Sequence, residues 1–204
     1  FKACKLHEAD PMQAWRDFGT NQQRIVDFLN ARKEIHYIGT NCDLKFRTDE
    51  RIWINSDGKT NMPSGEVYTA PVDDSMNGWI EFTLPSMYMG EIVEGVRLEI
   101  KNGYIEKWDA RSNREFLDKI FQIEGTRRFG EAAIGTNMDI QRMTKNILFD
   151  EKIGVTVHLA IGDAYKQCNG MNQSSVHWDM ITDMKEGRIY ADGEMCYENG
   201  KFIV

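Results

Sequence analysis

Glu66, Glu131, His158, His177 and Asp179 are spread along the chain, each inside a patterned segment able to hold it still. Three carboxylates and two imidazoles are donor types suited to a pair of divalent cations, the carboxylates able to bridge and the imidazoles to fix each ion. In Val176-His177-Trp178-Asp179-Met180 the two donors are separated by one residue. A strand therefore puts both on one face and the bulky apolar side chains on the other. A His–Asp ion pair at the surface is the alternative, and Asp183 on the same face reads as its solvated end.

His158 lies in Val155-Thr-Val-His-Leu-Ala-Ile161, where residues 155, 157, 159 and 161 make an apolar face. On the other face its neighbours, Thr156 and Ala160, are small and leave room for a metal or substrate. A single strand histidine is more often a hydrogen-bonded structural residue. Glu66 follows Pro63-Ser64-Gly65, a loop suited to delivering a carboxylate at the mouth of a strand. Glu131 heads the apolar run Ala132-Ala133-Ile134 after Phe129-Gly130. Burying such an acid is costly unless a cation or hydrogen bonds compensate it. Ordinary solvent exposure is the simpler alternative for either glutamate.

The elements that must carry these residues are legible in outline. Residues 10–33 have helical periodicity, with Asp10 as N-cap, Pro11 at the first helical position and Met12, Trp15, Phe18, Ile25, Val26 and Leu29 as the apolar stripe, interrupted at Gly19. Strand periodicity starts at Ile35. Asn102-Gly103 predicts a hairpin between 96–100 and 104–108, and Asn199-Gly200 one between 195–197 and 201–204. A second helix is expected over Arg114–Ile123, and strands near 129–135, 154–161, 175–182 and 188–192. The pattern predicts a single α+β domain of mostly antiparallel sheet with flanking helices.

With 204 residues, 41% hydrophobic and 28% charged, the chain has the composition of a soluble globular protein. A net charge of −7 with no long basic run argues against nucleic acid as a partner. The apolar runs are too short for a membrane span, so no membrane partner is expected. Cys4, Cys42, Cys168 and Cys196 form no CxxC pair, which predicts reduced thiols and a cytoplasmic location rather than a disulfide framework. The chain begins with Phe1, as expected of a processed product or the later part of a longer protein.

Five segments carry a resemblance: Asn61-Met-Pro-Ser-Gly-Glu-Val-Tyr-Thr-Ala-Pro-Val72, Gly90-Glu-Ile-Val-Glu-Gly-Val-Arg-Leu-Glu99, Gly130-Glu-Ala-Ala-Ile-Gly-Thr-Asn137, Ile147-Leu-Phe-Asp-Glu-Lys-Ile-Gly154 and Asn172-Gln-Ser-Ser-Val-His-Trp-Asp-Met180. In this order they resemble the thermophilic metallo-aminopeptidase family, whose members include aminopeptidases T and S. The likeness runs from about residue 10 to the end. It implies that residues 1–204 are the C-terminal metal-binding catalytic domain, with the family's N-terminal domain absent. By the same resemblance, Glu66, Glu131, His158, His177 and Asp179 ligate two divalent ions of the zinc, cobalt or manganese type. Glu131 bridges them and is catalytic, and Tyr165 is the active-site tyrosine. Glu151 is a further acidic position, a ligand or a neighbour of the ligands. Peptides with a free N-terminus are the implied substrates, hydrolysed at the N-terminal peptide bond, and a homodimer is the implied assembly. Lys166-Gln-Cys-Asn169 after Tyr165 departs from the family's usual Pro-Glu in a substrate-facing loop. A folded but inactive metal-binding or assembly domain is the alternative reading. Two divalent ions, at about +4, against about −3 from three carboxylates leave about one positive charge, enough to favour bound hydroxide.

Overall fold

The alternation of apolar and polar residues builds strands first, and the helices are attached to them. The computed structural model describes residues 1–204. In chain order the elements are α1 (Pro11–Asn30), β1 (Glu34–Gly39), β2 (Cys42–Arg47), β3 (Ile54–Ser56), β4 (Glu66–Thr69), β5 (Asn77–Glu81), β6 (Ser86–Tyr88), β7 (Glu91–Val93), β8 (Arg97–Lys101) and β9 (Tyr104–Asp109). They continue with α2 (Arg114–Ile120), β10 (Phe129–Gly135), α3 (Ile147–Asp150), β11 (Thr156–Gly162), β12 (His177–Asp183), β13 (Arg188–Ala191), β14 (Glu194–Glu198) and β15 (Lys201–Phe202). This is the α+β architecture of antiparallel sheets that the sequence predicts.

An eight-stranded sheet runs β15-β14-β13-β1-β2-β5-β8-β9, a five-stranded sheet runs β12-β11-β10-β4-β3, and β6 and β7 pair as a small hairpin. One apolar cluster of 34 buried residues draws on both large sheets. The eight-stranded sheet supplies Ile35, Tyr37, Leu44, Phe46, Ile80 and Leu98. The five-stranded sheet supplies Val67, Ala132, Ile134, Val157, Leu159, Ile161, Trp178 and Met180. Removing this much apolar surface from water is the main force joining the sheets.

The helix α1 forms as its cap predicts: the Asp10 carboxylate accepts from the Gln13 amide at 3.0 Å, with Pro11 just behind it. It does not break at Gly19, and Met12 is exposed, not part of the buried stripe. Gly19 lets the Asp57 side chain pass close over the helix; a Cβ there would lie a tight 3.1 Å from the Asp57 Cβ. The helix stops at Asn30, whose side chain accepts from the Trp53 amide at 2.8 Å and donates to the Trp53 carbonyl at 3.1 Å. Between those ends, Gln22 is buried in the middle of the stripe. Its amide donates to the Glu66 carbonyl and the Ser56 carbonyl, each at 3.0 Å, and its oxygen accepts from Thr136. Helix α1 thereby fixes the main chain at Glu66.

Two boundaries differ from expectation. Helix α2 ends at Ile120: the Phe121 amide still reaches Leu117, but those of Gln122 and Ile123 reach back only three residues and tighten the turn. Strand β11 starts at Thr156 because Val155 takes a positive φ of 63°, outside strand geometry. All four cysteines are free thiols. No helix is long and apolar enough to cross a membrane.

Candidate metal centre

One face of the five-stranded sheet belongs to the core; the donors line the other. Register places Glu131 beside Ala160 and Ala160 beside Asp179, while Ala133 pairs with both His158 and Tyr68. Glu66, at the start of β4, pairs with Gly135. The face therefore has a floor of two alanine methyl groups, Ala133 and Ala160, ringed by carboxylates and imidazoles. Every one of the five donors predicted from sequence arrives there.

A bulge re-aims Glu131. Phe129 sits opposite Ile161 on the core side, but Glu131 sits opposite Ala160, so Gly130 is the extra residue and the parity of β10 flips. Gly130 also lets the Asp163 main chain pass close by; a Cβ there would collide with the Asp163 carbonyl. That carbonyl lies 2.8 Å from Nδ1 of His177. A carbonyl can only accept, so Nδ1 carries the hydrogen and Nε2 is left to face the donors. Gly65, at a φ of 116°, supplies the left-handed turn that leads into Glu66.

The distances divide the donors into two overlapping sets. His158 Nε2 lies 3.4 Å from Glu66 Oε2 and 3.5 Å from Glu131 Oε1. His177 Nε2 lies 3.2 Å from Glu131 Oε2 and 3.7 Å from Asp179 Oδ1. Within each set one donor atom per residue falls within 4.8 Å of the others. Glu131 belongs to both, one oxygen to each. Four buried polar atoms at this site have no hydrogen-bond partner: Glu66 Oε2, both ring nitrogens of His158, and Asp179 Oδ1. Buried polar atoms are normally paired, and three of these are the donors that the two sets would turn toward a cation. Three donors of mixed oxygen and nitrogen type in each set are a donor combination that suits a divalent cation. The surface ion pair and the solvent-exposed glutamates, the simpler sequence readings, are not what forms: Glu66, Glu131 and Asp179 are buried and His177 is half-buried. Asp183 stands apart, accepting from the Lys185 amide at 2.6 Å.

The site's charges act on one another. Burial alone would lower the pKa of His158, but the carboxylates of Glu131, Glu66 and Asp179 outweigh it and push it up to about 9. His177 follows the same balance, burial against the Asp179 and Glu131 carboxylates, and is pushed up to about 11. Burial raises Glu66 despite Lys152 and His158 beside it, whereas His177 holds Asp179 below its ordinary value despite burial. Glu151 is pushed up to about 8 by burial and by the nearby Glu66 and Asp179 charges. Tyr165 forms the open side, its ring 4.8 Å from that of His177 and 5.5 Å from that of Tyr68. Burial and then the carboxylates, Glu131 foremost, push its phenol well above the usual range, so it remains an O–H donor.

Residues 1–202 match the family described as thermophilic metalloprotease (M29). The chain belongs to this family. Aminopeptidase AmpS of Bacillus subtilis is 32% identical over 99% of the chain and 57% of its own length. Aminopeptidase T of Thermus thermophilus is 27% identical over 98% of the chain and 54% of its own length. The chain thus spans little more than half the length of these curated relatives. In fold it is similar to the solved AmpT of Thermus thermophilus, with a TM-score of 0.85 and 24% identity over 95% of the chain and 56% of that structure. It is also similar to a dioxygenase of Pseudomonas putida, with a TM-score of 0.76 and 16% identity over 92% of the chain and 60% of that structure. One architecture carrying two differently named activities shows that chemistry here has to be argued from side chains.

Sequence reasoning assigned no role to Lys152 or Gln22. Lys152 is fully buried between Glu66 and Glu151, 3.4 Å from Glu66 Oε1 and in direct contact with Glu151 Oε1. The family resemblance places Glu151 at or beside the ligands, but nothing in the local pattern marks the adjacent Lys152 as buried. Gln22 did leave a signal, a polar residue at a stripe position of α1.

Proposed function

We propose that residues 1–204 form the metal-bearing catalytic domain of a metallo-aminopeptidase, hydrolysing N-terminal peptide bonds with a co-catalytic pair of divalent ions. The carrying observation is Glu131, whose two oxygens face different imidazoles, 3.5 Å from His158 and 3.2 Å from His177. Glu66, Glu131 and His158 would hold one ion, and Glu131, His177 and Asp179 the other. When bound, the pair supplies Lewis-acid polarisation of the scissile carbonyl and a lowered pKa for water. The chain's own residues do the rest. The Asp163 carbonyl fixes the His177 tautomer, and the alanine floor leaves the face uncrowded. Selection for a free N-terminus would come from holding the neutral α-amine of the substrate as a ligand at the ion pair, which an acylated N-terminus cannot supply. Tyr165 donates to the carbonyl oxygen as it gains charge, a contribution of about 3 kcal/mol. The names of the relatives support the aminopeptidase class. Glu151 contacts Lys152 and lies outside both donor sets, which favours a place behind the ligands over a place among them.

The test is release of amino acids from unblocked peptides with zinc, cobalt or manganese, with N-acetylated peptides as control and metal content measured in parallel. Activity confined to unblocked peptides is expected. A folded chain that takes up none of the three metals, or cleaves blocked peptides equally well, would sink the reading. Because the chain spans little more than half of its relatives, a second reading is a metal-binding or assembly domain without catalysis; metal uptake with no amino-acid release selects it. A native mass spectrum tests the homodimer in the same samples.

A further inference from the structure

Lys152 occupies a position that nothing in the two donor sets requires. Its ammonium is fully buried, an arrangement that is costly without paired charges. It is held there from both sides. The Lys152 carbonyl accepts from the Asn137 amide at 3.0 Å, and the Asn137 side chain donates to the Ser64 carbonyl at 2.8 Å. Asn137 therefore clamps the segment carrying Lys152 to the loop that delivers Glu66.

The result is a divided carboxylate. Glu66 Oε1 faces the ammonium at 3.4 Å, while Oε2 faces His158 Nε2 at 3.4 Å and has no hydrogen-bond partner. The other flank of Lys152 contacts Glu151. An ammonium has three donors and no acceptor, so it cannot itself join a cation's ligands. It can only decide which oxygens do. Carboxylates ligate through one oxygen or two, and the choice changes how many positions remain for water and substrate.

We infer that Lys152 is a positioning residue that restricts Glu66 to one-oxygen ligation of the ion held with Glu131 and His158, and keeps Glu151 out of that ion's ligand shell. This rests on the metal-pair reading above. Without the ammonium, Glu66 is free to turn its second oxygen toward the ion and Glu151 is free to approach. The ion then gains a ligand and loses an open position.

Cobalt(II) reports this directly, because its visible bands weaken as ligand number rises. The full chain and Lys152→Met are titrated with cobalt and followed by visible absorption and by calorimetry. The expected result is that Lys152→Met binds cobalt about tenfold more tightly, and that its bands weaken about twofold as a ligand is added and a positive charge removed. Lys152→Gln, which keeps a neutral donor near Glu66, is expected to fall between the two and serves if the methionine variant does not fold. A variant that melts at lower temperature but binds cobalt with wild-type affinity and spectrum overturns the inference and leaves the metal pair intact. A wild-type chain that takes up no cobalt overturns the metal pair itself.

Discussion

Tyr165 and His177 share the open side of the site, and their rings lie 4.8 Å apart. The tyrosine touches no residue of the ligand sets by hydrogen bond in this structure, which makes its removal a clean experiment. Tyr165→Phe is expected to lower kcat on an unblocked peptide about 100-fold, the scale of one oxyanion donor, with metal content unchanged. Turnover near wild type would remove the tyrosine from the mechanism. The histidines predict a pH dependence. In the folded chain without metal, His158 titrates near 9 and not at the ordinary 6.5. Between these values the folded state holds a proton that the unfolded state has lost, so stability is full below about 6.5 and falls as pH rises toward 9. Glu151, raised from 4.5 to about 8, has the same sign. Melting temperature in chelator should therefore drop across this interval, and His158→Gln should flatten the drop. Metal affinity should rise over the same interval, because protons cease to compete for the imidazoles. A melting temperature indifferent to pH would show that the carboxylates do not act on His158 as described.

At the scale of elements, the bulge at Gly130 does two jobs, turning Glu131 onto the donor face and admitting the Asp163 carbonyl that orients His177. Gly130→Ala should cost about 1–3 kcal/mol, the range for a forced main-chain shift in a packed region. It should also weaken metal binding more than an equally destabilising substitution in the apolar cluster, as calorimetry would show. Equal effects on metal binding would reduce Gly130 to a packing residue. This element also marks where sequence reading stopped. Constant alternation places Phe129 and Glu131 on one face, and only the observed register separates them. Strands β11 and β12 needed no such correction, since His158 and the His177–Asp179 pair keep a regular two-residue period. Their donor face was legible for that reason. The partnership with Glu66 came only from the family resemblance, because it depends on strand order, β12-β11-β10-β4, which local periodicity does not encode. Lys152 escaped notice because its burial depends on which segments fold around it, which local periodicity does not encode.

For the molecule as a whole, the two large sheets share a single apolar cluster, so the five-stranded sheet has one face in the core and one at the site. The antiparallel α+β class was readable from the turn signals and strand periods, while the stacking of the sheets was not, since it is a property of how separate runs meet. The enclosure that results is uneven. His158 and Lys152 have side chains with 0% exposure, Glu66 has 8%, and His177, at the open side, has 25%. On the two-ion proposal, an ion held by Glu66 and His158 would be the more enclosed of the two, because fully buried His158 would hold it while half-buried His177 would hold the other. Exposure of the loaded protein to excess chelator should then release metal in two phases of equal amplitude, a fast loss from the outer position and a slow one from the inner. The uneven burial that folding imposes on the donors would thus become a difference in residence time, giving two chemically similar ions separate lifetimes on the same protein.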